Sequence, residues 1–306
     1  MLTIFKKTIK DAELRKLDSL EVGSWVSVVD PTKKEIKYLT KTLDLDEKNV
    51  LDALDEYEVP RIEKNKDAAY MLIKVPVENE GIISTIPIAI FMTDRHILTI
   101  TKQDNKVLQS IMENNAKLYT TQKINLLIHI FLLASDVYEN YLKQISKEIY
   151  LRKAKITDLS NRDIVNLIKY EELLNQFISS FLPMANIFEK ILDGKYLPLY
   201  RQDKELIEDL LVNSRQTLDL CRTNMKTVVN IREAYSTVLS NNLNKIIRFL
   251  TVFTILLAVP TTISSLYGMN VVLPMQNDPL IFIYIFSTIF AVTVLLVLFF
   301  MKKKWL

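Results

Sequence analysis

Glycine is scarce, with 4 in 306 residues. The ones in the soluble part, Gly23, Gly81 and Gly194, lack the spacing of a phosphate-cradling loop, so a nucleotide-driven machine of that type is excluded. The single cysteine, Cys221, rules out an intrachain disulfide and reads as a small buried hydrophobe. Only two histidines occur, and His96 and His129 each stand alone in an apolar run without a second soft ligand at metal spacing. The net charge of +3 is too small for a nucleic-acid binder. No nucleophile, general base and orienting group come together, and the pair Glu171-Glu172 reads as helix-surface charge, so an enzyme has no support. The apolar run Met1 to Phe5 is too short to be the core of a signal peptide, so the expectation is that none opens the chain.

Charge is also missing from two long apolar runs near the C-terminus, and that absence is the informative one. Phe249 to Leu266 and Leu280 to Met301 carry no ionised side chain. At 1.5 Å per residue each is long enough for a ~30 Å hydrocarbon core. Lys245 and Arg248 precede the first run and Lys302, Lys303 and Lys304 follow the second, whereas 267–279 has no cation. Positive residues stay inside, so both termini are expected in the cytoplasm of a multi-pass protein of the cell membrane.

Glycine and proline divide the rest. Up to about residue 105, turn formers alternate with β-rich runs at 24–29, 69–75, 86–91 and 97–100, with helical patterns at 33–42 and 47–57 between the first two. That pattern predicts a small α/β domain with a mixed or antiparallel sheet. Residues 106–199 read as a cytoplasmic helical hairpin, with long helices over 126–151 and 163–192 and a break at 155–161. Residues 200–266 contain no glycine and only Pro260, which predicts one stalk helix running into a first span at about 246–266. Such a helix approaches ~100 Å. A loop at 267–279, a second span at 280–301 and a basic tail at 302–306 complete an α+β membrane architecture.

Two spans cannot enclose an aqueous path, so a pore requires one span from each of several identical chains around an axis. The first span has a suitable stripe: Asn244, Ile247, Thr251, Thr254, Ala258, Thr261, Ser265 and Gly268 recur at three- and four-residue steps, flanked by Leu250 and Leu257. Small and hydroxylated residues also let membrane helices pack closely, and the stripe alone does not separate the two uses.

Tyr267-Gly268-Met269-Asn270, at the outer end of the first of two C-terminal spans, resembles the CorA family of divalent-cation channels. The likeness extends to Trp25 with Asp30-Pro31-Thr32, to Asn49-Val50-Leu51-Asp52 leading into Val59-Pro60-Arg61-Ile62-Glu63, to Ser240 through Lys245, and to the Lys-Lys-Lys-Trp-Leu end. The resemblance implies a homopentamer in the lipid bilayer, with a cytoplasmic funnel and the stalk helices around a Mg²⁺ path. It makes Tyr267, Gly268, Met269 and Asn270 the selectivity filter, Asn244 a polar ring, Leu250 a hydrophobic constriction and Thr261 a pore hydroxyl. Neutral oxygens suit Mg²⁺, which loses its octahedral water shell reluctantly. Co²⁺, Ni²⁺ or Zn²⁺ are the alternative cargoes of the same architecture. A membrane-anchored scaffold is the distant one, since an anchor needs neither the stripe nor a second span.

Asp278 is the only acid of the outer loop, where Val271-Val272-Leu273-Pro274 replaces the acidic residues of many relatives. By the same resemblance, Asp52, Asp209 and Glu233 are the regulatory carboxylates, with Mg²⁺ bridging Asp52 of one subunit to Asp209 of the next and holding the pore shut. The membrane potential supplies the driving force, about 2.3 kcal/mol per charge per 100 mV, without a nucleotide.

Overall fold

A strand that is apolar on both faces has to be covered on both sides. Residues 69–77 are such a strand: Met71, Ile73 and Val75 are fully buried on one face, Tyr70 and Leu72 on the other. They belong to a seven-stranded mixed sheet in the computed structural model, which describes residues 1–65, 68–113, 118–275 and 277–305. Its strands are β1 (Leu2–Lys6), β2 (Arg15–Leu17), β3 (Trp25–Val29), β4 (Arg61–Asn65), β5 (Ala68–Asn79), β6 (Ile82–Met92) and β7 (Ile97–Thr101), in the order β2-β1-β3-β7-β6-β5-β4. Only β3 and β7 pair in parallel; the other neighbours are antiparallel.

Helices α1 (Lys33–Leu43) and α2 (Glu47–Asp52) cover one face through Ile36, Leu39, Val50 and Ala53. Thr32 starts α1 with a reciprocal capping box to Glu35, satisfying two backbone donors at once. The other face carries α3 (Lys106–Glu113), α4 (Lys123–Ala154), α5 (Asn161–Leu192) and the first part of α6 (Arg201–Tyr267). Sheet and helices share one core on this side, centred on Phe131, Tyr138, Phe177, Phe181 and Phe188, so the β-rich and helical stretches pack as one layered unit. Along α6, Ile207, Leu210, Leu218, Cys221, Val228 and Ile231 form the apolar stripe that enters this core. Asn213 and Asn224 tie the same helix to Glu139 and Ser146 of α4 at 2.7 and 2.6 Å.

The chain divides into two compact units, Met1–Ile231 and Arg232–Leu306. The second unit holds the rest of α6 and α7 (Ile281–Lys302).

Local differences from the sequence reading have local causes. The helix expected over 47–57 stops at Asp52, because turns follow at once and Tyr57 N–H is captured by the Asp55 carboxylate at 2.9 Å. Pro60 then keeps its predecessor extended. Strands β1, β2 and β4 are absent from the sequence reading: they have only three to five residues, lie toward the sheet's edges, and none is a long apolar run.

Candidate ion path and sensor residues

The two apolar helices are long and apolar enough to cross a membrane. Their most apolar windows have mean hydropathies of 2.0 (α6) and 2.7 (α7), with 6% and 0% of each window buried within the chain. Helices that are greasy all round and uncovered belong in a lipid-like solvent or against other copies.

On α6 the second unit covers one row only. Val252 is fully buried and Ile255, Leu256, Val259 and Ile263 are partly covered, whereas Asn244, Ile247, Thr251, Thr254, Ala258, Thr261, Ser265 and Gly268 are all exposed. At 3.6 residues per turn the two rows lie roughly 150° apart. The polar stripe therefore faces away from the side that its own chain covers, and close packing within the chain does not account for it. Leu250 stands beside the stripe at 60% exposure.

The hydroxyls on this stripe are half committed. Thr251, Thr254 and Thr261 donate to the carbonyls of Ile247, Leu250 and Leu257 at 2.7–2.8 Å. Thr262, Thr288 and Thr293 do the same elsewhere on the two helices, so the bond is how a threonine is satisfied here, not a mark of the stripe. Its consequence is specific on the stripe: with the proton turned inward, each oxygen presents only lone pairs outward, the polarity that accepts hydrogen bonds from a cation's water shell.

Gly268 follows the last residue of α6. Its N–H closes the helix on the carbonyls of Ser264 and Ser265 at 3.0 and 3.2 Å. Unlike Gly23, Gly81 and Gly194, it does not have a positive φ. A Cβ built on it meets only those two carbonyl oxygens, at 3.4 and 3.5 Å. Neither backbone conformation nor packing within the chain requires a glycine there. Tyr267, Met269 and Asn270 are exposed around it, and among the described residues the Asn270 amide makes no hydrogen bond. Asp278, half-buried, accepts the Leu280 N–H at 2.8 Å and caps the approach to α7.

The proposed sensor residues differ from one another. Asp52, at the end of α2, is buried and paired with Arg61. Asp209 is exposed on α6, and Glu233, also exposed on α6, lies in the second unit. Among the described residues no three His, Cys, Asp or Glu side chains gather where one chain could hold a metal ion. Hard carboxylate oxygens fit Mg²⁺, but among the described residues Asp52 and Asp209 have no third such side chain gathered with them, so a site using them needs ligands from elsewhere, water included. The pairing of Asp52 with Arg61 escaped the sequence reading. Its one available signal was an arginine set after proline in an otherwise acidic stretch.

His96 hydrogen-bonds Ser24 through Nδ1 at 3.0 Å. Burial, with Arg95 and Lys123 adding repulsion, holds its pKa below the ordinary histidine value. Burial does the same to His129 and pushes the Cys221 thiol up to about 12.

The layered α/β unit, with two uncovered helices among the described residues that are apolar enough to cross a membrane, defines a membrane protein with a large α/β unit outside those helices. The chain belongs to the CorA family: the model of the CorA-like Mg²⁺ transporter protein matches residues 21–303. Among its relatives, the cobalt/magnesium transport protein CorA of Methanocaldococcus jannaschii is 25% identical over 92% of this chain and 91% of its own length. The protein of the same name from Thermotoga maritima is 20% identical over 83% of this chain and 75% of its own. The complete structure of the M. jannaschii CorA magnesium transporter superposes with a TM-score of 0.87 at 23% identity, covering 100% of this chain and 99% of that one, which establishes the shared fold.

Proposed function

We propose that several copies of this chain, a pentamer by family resemblance, enclose a pore lined by α6 through which hydrated Mg²⁺ enters down the membrane potential, both termini being cytoplasmic. One observation carries the reading: the exposed hydroxyl stripe of α6 lies opposite its covered row and ends at a glycine that nothing within the chain requires. In a ring of such helices, Gly268 leaves room where backbone carbonyls approach the axis, and Asn270 offers neutral oxygens to the ion's water shell. Thr261, Thr254 and Thr251 continue the acceptor surface inward, and Leu250 and Ile247 form an apolar constriction that closes by excluding water. Asn244 is the polar ring on the cytoplasmic side, and Asp278 raises the cation concentration at the entrance.

Closure is assigned to intracellular Mg²⁺ held by Asp52 of one subunit and Asp209 of its neighbour, with Glu233 a further acidic position on α6. A cation binding only where these carboxylates are close favours that arrangement, and its loss lets them repel. Co²⁺ is a second cargo, favoured by the names of both relatives, and the neutral oxygens of the path do not discriminate against it. Purified protein in vesicles under an inside-negative potential should take up Mg²⁺, with Co²⁺, Ni²⁺ and Zn²⁺ as competitors, and Asn270→Ala should abolish uptake. No potential-driven uptake of any of these ions by the wild type refutes the proposal.

A further inference from the structure

Arg61 projects from the start of β4 and spends each of its nitrogens on a different carboxylate. Nη2 binds Asp52, Nη1 binds Glu58 at 2.7 Å and Nε binds Glu63 at 2.9 Å. The guanidinium also lies over the Tyr70 ring, 5.5 Å from its centroid. The Asp52 side chain is 11% exposed and that of Arg61 27%, so the pair is largely withdrawn from water. Removing a partner from such a pair strands a charge. A cation that approaches the Asp52 carboxylate therefore competes with a guanidinium already held on Oδ2.

From this geometry we infer that Arg61 is a tethered competitor for the Asp52 carboxylate and sets the Mg²⁺ concentration at which the sensor responds; the inference rests on the assignment of Asp52 to that sensor. Exchange is affordable because of the three-way grip. When Mg²⁺ takes Asp52, Arg61 keeps Glu58 and Glu63, so the displaced cation stays neutralised. Ligand-free protein holds Asp52 in the Arg61-bound form, and the apparent Mg²⁺ affinity is reduced by the fraction of time the carboxylate is free. Arginine suits the role because its charge does not titrate in the physiological range, which leaves geometry alone to set the threshold.

The test uses the full-length protein in lipid nanodiscs and follows Mg²⁺-dependent protection from limited proteolysis at fixed ionic strength, a readout independent of flux. Arg61→Gln should lower the Mg²⁺ midpoint roughly tenfold, the order expected for losing one charge-assisted hydrogen bond. Arg61→Lys keeps a cation but not the fork, and should move the midpoint in the same direction by less; it decides the matter if the glutamine variant does not fold. Asp52→Asn should remove the response. If Asp52→Asn removes it while both Arg61 variants leave the midpoint within twofold or raise it, Arg61 is only structural and the inference is overturned. If Asp52→Asn responds like the wild type, the sensor assignment itself fails.

Discussion

Replacing Gly268 by alanine separates what the fold requires from what the pore requires. Within one chain the added methyl meets two carbonyl oxygens at 3.4 and 3.5 Å, ordinary contact distances, and the backbone is not left-handed. Glycine to alanine at a helix end that accepts it changes stability by at most about 1 kcal/mol, in the stabilising direction. The melting temperature should therefore stay level or rise slightly. In the proposed ring of copies the same methyl repeats around the axis at the proposed filter, where it would displace water from a dication that sheds it reluctantly. An added barrier of about 1.4 kcal/mol lowers flux tenfold, and several methyls in one ring should exceed that. The assay pairs thermal melting in detergent with potential-driven Mg²⁺ uptake in vesicles. An alanine variant that melts like the wild type and conducts within twofold of it removes the structural argument for a pore at this position. A variant that fails to fold contradicts the packing on which the argument stands.

Asp278→Asn keeps an oxygen for the Leu280 N–H but removes the charge, so uptake should fall severalfold at low ionic strength. The deficit should vanish near 1 M salt, where the Debye length is only about 3 Å. Exclusively low-salt sensitivity is the signature of concentration at the entrance; a salt-independent deficit points to the cap. Thr254→Val removes outward lone pairs with little change in shape and should reduce uptake while moving the melting temperature by only a few degrees. His96 and His129 have lowered pKa values in the folded protein, so the unfolded chain binds more protons as pH falls through the ordinary histidine range. Their contribution to stability is present above about pH 6.5 and is lost below it. Denaturant midpoints measured from pH 8 to pH 5.5 should drop less steeply in a His96→Gln, His129→Gln double variant than in the wild type.

The parts of the fold legible in the sequence are those whose physics is local. Charge-free runs mark the membrane helices because an ion in hydrocarbon is expensive, and residues 69–77 announce a twice-covered strand by being apolar at nearly every position. Strands β1, β2 and β4 escape because three to five residues are too few to show a period: the edge strands β2 and β4 are rich in charge and differ little from polar loops, and β1 is a short apolar run. Family resemblance supplied the filter motif and the roles of the stripe residues; periodicity alone left the stripe open to either a pore or a packing face. The covered row through Val252, Leu256, Val259 and Ile263 shows that the stripe does not pack within its own chain, a feature of three-dimensional packing invisible to a count of small residues, and the pore reading is a proposal built on it. The residues proposed for the sensor show the same limit more sharply. Asp52 and Arg61 stand in the sequence as an acid and a base separated by a turn; the resemblance singled out Asp52 as a regulatory carboxylate but nothing paired it with Arg61. Only the fold, by ending α2 at Asp52 and starting β4 at Arg61, closes the gap between them. An acidic residue proposed as a metal ligand therefore has to be judged by which cation already holds it: Asp209 is exposed, whereas Asp52 is buried with Arg61 on its Oδ2.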